Sequence, residues 1–321
     1  MCAIYVDGNF VMESGTIYTV IADDPANKGQ FAIGVHPNGK VTINGGRVDA
    51  GGFAVSSNGQ ESNTEIVVNG GELISTTDYA IYGAAGSSKI TINDGVIYGV
   101  AGGVALNKGD LIVNGGTITS KGTGNTGNWG DGTGNMAAAA VNVQAKYGEA
   151  TATIKGGSLL AEENALFIKT EQKEGDISVE GGTFSQPVDE YLAPSVNYSV
   201  SNGTNGNVSY FTNLNDAVAA AGADDEVKNL KETSAHAGST VTLKDGDAVI
   251  TTLHTDATSV NLPSLSKSGY TFKGWKDEDG KVYNGKLTIS EENDGELVVR
   301  EEVTLTAVWS ANSYYYYPST S

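Results

Sequence analysis

The chain has 321 residues, 39% of them apolar, with 43 glycines and only 6 prolines: enough material for two cored domains, and a composition suited to repeated tight turns. Nineteen basic residues against thirty-eight acidic ones leave a net charge of −19, which argues against nucleic acid and against an anionic membrane surface as partners. A single cysteine, Cys2, excludes a disulfide framework, and no apolar run approaches the roughly 20 residues that a bilayer-spanning helix needs.

From the first residues to about 186 the chain repeats one phrase: an apolar alternation, a small two-residue turn, then another apolar residue. The copies centre on Gly15, Gly46, Gly71, Gly95, Gly116, Gly157 and Gly182. Two residues after each glycine stand Ile17, Val48, Leu73, Ile97, Ile118, Leu159 and Phe184; three residues before stand Met12, Ile43, Val68, Ile92, Val113, Ile154 and Val179. A dipeptide of alanine and an aliphatic residue recurs between the phrases, at Ala3-Ile4, Ala32-Ile33, Ala54-Val55, Ala80-Ile81, Ala105-Leu106, Ala140-Val141 and Ala165-Leu166. The steps between key glycines are 31, 25, 24, 21, 41 and 25 residues, so the unit is close to 25 with two insertions.

Each unit holds two or three short segments of period two and none of helical period, so its strands must pair with those of neighbouring units. That is the logic of a parallel β-helix, in which like residues stack on like about 4.8 Å apart. Seven such coils make a rod of about 34 Å. The repeat resembles the right-handed parallel β-helix, the pectate-lyase-like solenoid, of a bacterial surface protein. Asn44, Asn69, Asn93 and Asn114 fall at one position of four consecutive units, as an amide ladder requires, although asparagine also favours turns in its own right. Two positions earlier, Thr42, Val67, Thr91, Ile112 and Thr153 read as an outward column with no acid or base. Asp49, Asp78, Asp94 and Asp110 fall at different points of the unit and read as solvated turn residues.

Two insertions interrupt the units, at about Ala22–Gln30 and at Gly122–Asn135. The second, GTGNTGNWGDGTGN, has a glycine and asparagine density like that of a calcium loop, but Asp131 is its only carboxylate, which makes a surface loop the plainer reading. Trp129 beside it is a candidate to stack on a sugar or a partner, or to fold back on the adjacent coil. Trp129 and Asp131 are therefore the candidate ligand-binding residues. His36, His236 and His254 lie far apart, which suggests neither a zinc triad nor a catalytic pair, and Cys2 lacks a nucleophile's context in a position expected to be buried. No motif calls for a cofactor, and no catalytic residue is assigned.

After Phe184 the repeat ends. Residues 187–238 read as a connector, within which Leu214, Ala217, Val218 and Ala221 fall at helical spacing behind a capping Asn213, with Gly222 as the stop. This helix of about ten residues is expected to close the solenoid end or to pack on the next domain. Residues 311–321, with Tyr314 to Tyr317, read as a linker or disordered tail, or as an edge strand. Because Ala3-Ile4 already lies inside a coil, the chain is expected to be a piece of a longer protein, with further coils or domains and an export signal upstream.

Between about 239 and 309 stand Pro263, Gly269, Tyr270, Phe272, Gly274, Trp275, Gly280, Tyr283, Leu305, Ala307 and Trp309. This pattern resembles the Listeria-Bacteroides repeat, or internalin B-repeat, and residues 286–303 depart from its short form. The resemblance implies a small β-grasp-like module of bacterial surface proteins, a spacer or interaction unit without catalytic residues. From the residues themselves, Tyr270, Phe272, Trp275, Val303, Leu305, Ala307 and Trp309 read as core.

The expected fold is all-β: a β-helix of about seven coils, a short helical cap or connector, and a small β-grasp-like module. Two functions are expected in competition. One is non-catalytic display at a bacterial cell surface or cell wall, adhesin-like, with a host or matrix glycan or protein as partner. The other is a carbohydrate-active or carbohydrate-binding β-helix, a lyase, a hydrolase or a non-catalytic relative. Convergence of acidic and basic side chains on one face discriminates between them.

Overall fold

The structure, a computed structural model, describes residues 2–20, 30–57, 63–84, 86–128, 135–169, 175–230, 238–255, 257–293 and 296–312. The chain divides into two compact units, Met1–Pro194 and Ser195–Ser321.

The first unit is a parallel β-helix that contributes seven strands to each of three sheets. The chain visits the sheets in turn: Ile4–Val6, Asn9–Met12 and Thr16–Thr19 are its first strands in them, and Leu166–Ile168, Gly175–Val179 and Gly182–Phe184 are its last. Neighbouring strands are parallel and in register, for example Ile43, Val68, Ile92, Val113 and Ile154 in the second sheet. These residues are fully buried, as are Val48, Leu73, Ile97, Ile118 and Leu159 of the third sheet, so the apolar columns on both sides of the key glycine face inward.

The turn between the second and third sheets explains the repeated glycine. All seven key glycines have positive φ, from 80° to 110°, in a region that side chains with a Cβ disfavour. Stacking adds a second constraint, because a Cβ on Gly46 would lie 2.7 Å from the carbonyl oxygen of Gly15 in the coil before it.

The asparagine column is a ladder. Asn69 donates to Asn44 at 2.8 Å, Asn93 to Asn69 at 2.7 Å and Asn114 to Asn93 at 2.8 Å. The donors all point toward the first coil, where Asn44 donates in turn to the Glu13 carboxylate at 3.0 Å. Glutamate, an acceptor with no hydrogen to give, is a fitting terminus for a run of amide donors.

One register differs from the sequence expectation. The partner of Ile81 and Val141 in the intervening coil is Val104, so Gly103-Val104 replaces Ala105-Leu106 as that coil's small-aliphatic pair. The inner space is too narrow for more: a Cβ on Gly103 would collide with Ile118. Cys2 is half-buried rather than buried, and desolvation raises its thiol pKa.

The second unit is organised around a mixed sheet, in the order Val208–Phe211, Tyr198–Ser201, Glu226–Asn229, Ala248–Thr255, Ser239–Asp245, Glu302–Ala311, Tyr270–Lys276 and Val282–Tyr283. Segments read from sequence as connector and as module thus share one sheet. They also share one core, in which Val200, Leu214, Ala217 and Val218 pack with Val241, Leu253, Trp275 and Leu305. The helix spans Leu214–Ala220 and is capped by Asn213, whose side chain accepts the Asp216 N–H at 3.0 Å. It stops one residue before the expected Gly222 region because Ala221 is already extended, and the Gly222 N–H goes to Asp225 at 3.0 Å.

Trp275 is fully buried and donates its indole N–H to the Pro263 carbonyl at 2.7 Å. Tyr270, expected in the core, is 46% exposed, with the Lys267 ammonium 5.4 Å from its ring. The divergent stretch forms a small hairpin of its own, Ser290–Asn293 with Glu296–Val299.

Candidate functional site

The coil gives each sheet an outer wall, and the three walls carry different chemistry. On the second sheet, Thr42, Val67, Thr91, Ile112 and Thr153 form the outward column expected from sequence. Two positions earlier on the same face the register aligns Lys40, Glu65, Lys89, Asp110, Thr151 and Asp176. Ionisable groups do therefore converge on one face, contrary to expectation. They alternate in sign over four coils, with Lys40 and Glu65 paired at 2.8 Å and Thr151 donating to Asp110 at 2.7 Å. On the third sheet Arg47 bonds Glu72 of the next coil and Asp49 of its own, and these bonds raise its already high pKa.

The aspartates differ among themselves. Asp94 is exposed and caps its own turn by accepting the Gly95 N–H at 2.7 Å. Asp78, expected to be solvated, is buried and accepts the Tyr79 N–H at 2.8 Å. It sits where the chain enters the strand Tyr79–Gly83, a place that leaves backbone donors away from water.

The first sheet carries the densest cluster. In Tyr79–Gly83, a Cβ on Gly83 would meet Leu106 and Ile90 of the core, so Tyr82 beside it faces outward. Ala105 and Asn142 follow Tyr82 in register on the next two coils. Phe53, Tyr79, Tyr82, Ala101, Ala105 and Met136 form a separate apolar cluster, with the Tyr82 ring stacked on Phe53 at 4.7 Å and 13°. Met136 directly follows the second insertion, and a short hairpin pairs Gly127–Asn128 with Asn135–Met136. Of the described residues of the insertion, Gly127 lies against the Tyr79 ring of this wall.

Amides complete the cluster. The Tyr79 hydroxyl donates to the Ala137 carbonyl and accepts from Asn142 Nδ2 at 3.1 Å. Asn142 Nδ2 also donates to the Ala137 carbonyl at 2.8 Å, and Asn142 Oδ1 accepts from Gln144 Nε2. Asn107 Nδ2 donates to the Tyr82 hydroxyl at 2.8 Å. Burial pushes the Tyr79 phenol well above its ordinary range, so it acts as a neutral donor and acceptor. Asn107 and Gln144 are buried, yet their side-chain oxygens have no hydrogen-bond partner.

Trp129 and Asp131, the residues singled out in the sequence, lie outside the described residues. So does His236; His36 pairs with Asp7 at 2.6 Å, and His254 contacts Thr240 at 3.3 Å. Among the described residues, no three of His, Cys, Asp and Glu gather where they could share a metal ion. The tyrosine–amide cluster escaped the sequence reading, although Asn142 and Gln144 alternating with Val141 and Val143 mark one polar face of a strand. Comparison with protein-family models, with curated proteins and with solved structures finds no match to this chain.

Proposed function

We propose that this chain is a non-catalytic, extracellular display protein, adhesin-like in use, in which the β-helix offers its outer walls to a host or matrix glycan or protein. Residues 239–310 serve it as a stalk module of the Listeria-Bacteroides type, and the placement at a bacterial surface rests on that resemblance. One observation carries the reading. The ionisable side chains on the outer walls that meet a partner are at least partly exposed and neutralise one another across coils, Lys40 with Glu65, Arg47 with Glu72, and Lys121 with Glu162. Exposed pairs in a high dielectric fasten a register weakly and are not tuned as an acid and a base.

A second reading, a carbohydrate-active or carbohydrate-binding β-helix, is favoured by the acidic and basic side chains that share one outward column of the second sheet, Lys40, Glu65, Lys89 and Asp110. A glycan and matrix-protein array, with mass analysis of the incubated glycans, tests both readings. Saturable binding with intact glycans supports recognition. Shortened oligosaccharides would establish an enzyme and overturn the proposal.

A further inference from the structure

We propose that the outer wall of the second sheet is a self-association surface, through which two copies of this chain meet face to face about a two-fold axis that runs along the strands between Glu65 and Lys89. The proposal goes beyond the display reading and does not rest on it.

The order of charges along the wall points to a second copy. From the first coil to the sixth the column runs Asn9, Lys40, Glu65, Lys89, Asp110 and Thr151. A two-fold axis lying along the strands reverses the order of the coils and keeps each residue's place on its strand, so the column faces itself inverted. Lys40 then meets the partner's Asp110, Glu65 meets the partner's Lys89, and Asn9 meets the partner's Thr151. All four charges find an opposite at once. Moving the axis by half a coil sets Glu65 against the partner's Glu65, or Lys89 against the partner's Lys89. The neighbouring column, Thr42, Val67, Thr91 and Ile112, is uncharged and β-branched, and it meets only its own copy.

The rest of the wall agrees. Two cations and two carboxylates cancel over these coils in a chain of net charge −19, so contact here adds nothing to the repulsion between two copies. Asn9, Lys40, Glu65 and Lys89 line an open cleft of about 450 Å³, which is room for the partner's side chains. Lys40 holds Glu65 at 2.8 Å, whereas the exposed Lys89 makes no ion pair among the described residues. Six strands at about 4.8 Å and five residues at about 3.3 Å make a face of about 29 by 16 Å, at the small end of specific interfaces, so the dimer is expected to be reversible.

Sedimentation equilibrium of the full chain from micromolar to millimolar concentration, at low and high salt, provides the test. The expected result is a monomer–dimer equilibrium that salt weakens. Lys89→Glu opposes like charges twice in each dimer and is expected to weaken association about tenfold or more. The double swap Glu65→Lys/Lys89→Glu restores both contacts between copies, but within one chain it places like charges on neighbouring coils, at 40 beside 65 and at 89 beside 110. Recovery of the dimer by this variant, with circular dichroism confirming its fold, therefore separates contact between copies from a ladder within one chain. A zero-length carbodiimide cross-link reads the register in the unaltered protein. Lys40 and Asp110 lie about 14 Å apart within one chain, so an amide joining them forms only between copies.

A chain that stays monomeric at every concentration, whether its wall is bare or holds an oligosaccharide, would overturn the proposal. So would a dimer that Lys89→Glu leaves intact, a folded double swap that does not regain it, or cross-links between copies that map to another face.

Discussion

Asn69 stands in the middle of the amide ladder, donating to Asn44 at 2.8 Å and accepting from Asn93 at 2.7 Å. Asn69→Ala removes both bonds, whereas Asn114→Ala removes only the donation to Asn93. A neutral hydrogen bond contributes about 0.5–1.5 kcal/mol net, and the lower half of that range applies because the ladder is exposed and water competes for the freed groups. The expected losses are therefore about 1–2 kcal/mol for Asn69→Ala and about half of that for Asn114→Ala. For a unit of this size they correspond to shifts of roughly 2–8 °C and 1–4 °C in melting temperature. Asn69→Asp separates the two bonds, since its carboxylate still accepts from Asn93 but cannot donate to Asn44. Its deficit is expected to shrink when acid protonates it and restores a donor. Urea and thermal unfolding followed by far-ultraviolet circular dichroism measure all three. Equal losses for Asn69→Ala and Asn114→Ala, or no loss for either, would refute the ladder as a source of stability and leave these asparagines as turn formers.

Ile92 lies between Val68 and Val113 in the buried aliphatic column, so Ile92→Asp is expected to cost on the order of 5 kcal/mol or more and to unfold the β-helix; unchanged circular dichroism and melting would contradict the column. Gly103→Ala forces a methyl against Ile118 and is expected to destabilise by about 1–3 kcal/mol, whereas Gly8→Ala, with open space around it, is expected to be neutral or slightly stabilising. Denaturant midpoints compare the two, and parity between them would place Gly103 elsewhere. In the second unit, hydrogen bonds from Lys267 and Trp309 hold the Asp245 carboxyl below its ordinary value of about 3.9. A depressed folded pKa stabilises above the unfolded value and loses that stability as pH falls through the folded one, so the unit is expected to weaken below about pH 4. Asp245→Asn is expected to flatten that part of the profile, and an unaltered slope would show that these bonds do not matter to stability.

Much of the β-helix is legible because its constraints are local and recur. Positive φ selects glycine at every key turn, and a buried stack selects aliphatics three residues before it and two after. The asparagine ladder is legible for the same reason. Where a position tolerates several residue types, the sequence reading goes astray. Ala105-Leu106 matches the small-aliphatic phrase by composition, but register gives that place to Gly103-Val104, and Ala105 moves to the outer wall beside Tyr82. The charged column from Lys40 to Asp176 is hidden because its members differ in sign and size and share only an alignment. In the second unit the pairing of Glu226–Asn229 with Ala248–Thr255 is parallel and spans a long intervening segment, so nothing local marks the connector as part of that sheet. The tyrosine–amide cluster joins residues from Phe53 to Gln144, a proximity that exists only once the coils are stacked.

In the β-helix, residues far apart in sequence stand in one column on consecutive coils. Thr42 and Thr153 lie four coils apart on the outward face of the second sheet, with Val67, Thr91 and Ile112 between them. Four steps of about 4.8 Å place their backbones about 19 Å apart, although 110 residues intervene. Nitroxide labels on Thr42→Cys and Thr153→Cys, in a chain whose Cys2 is replaced by serine, report that separation by pulsed electron spin resonance. A single narrow distribution near 20 Å, allowing for the label arms, is the expected result; a broad distribution or a centre well beyond about 30 Å would contradict the stack.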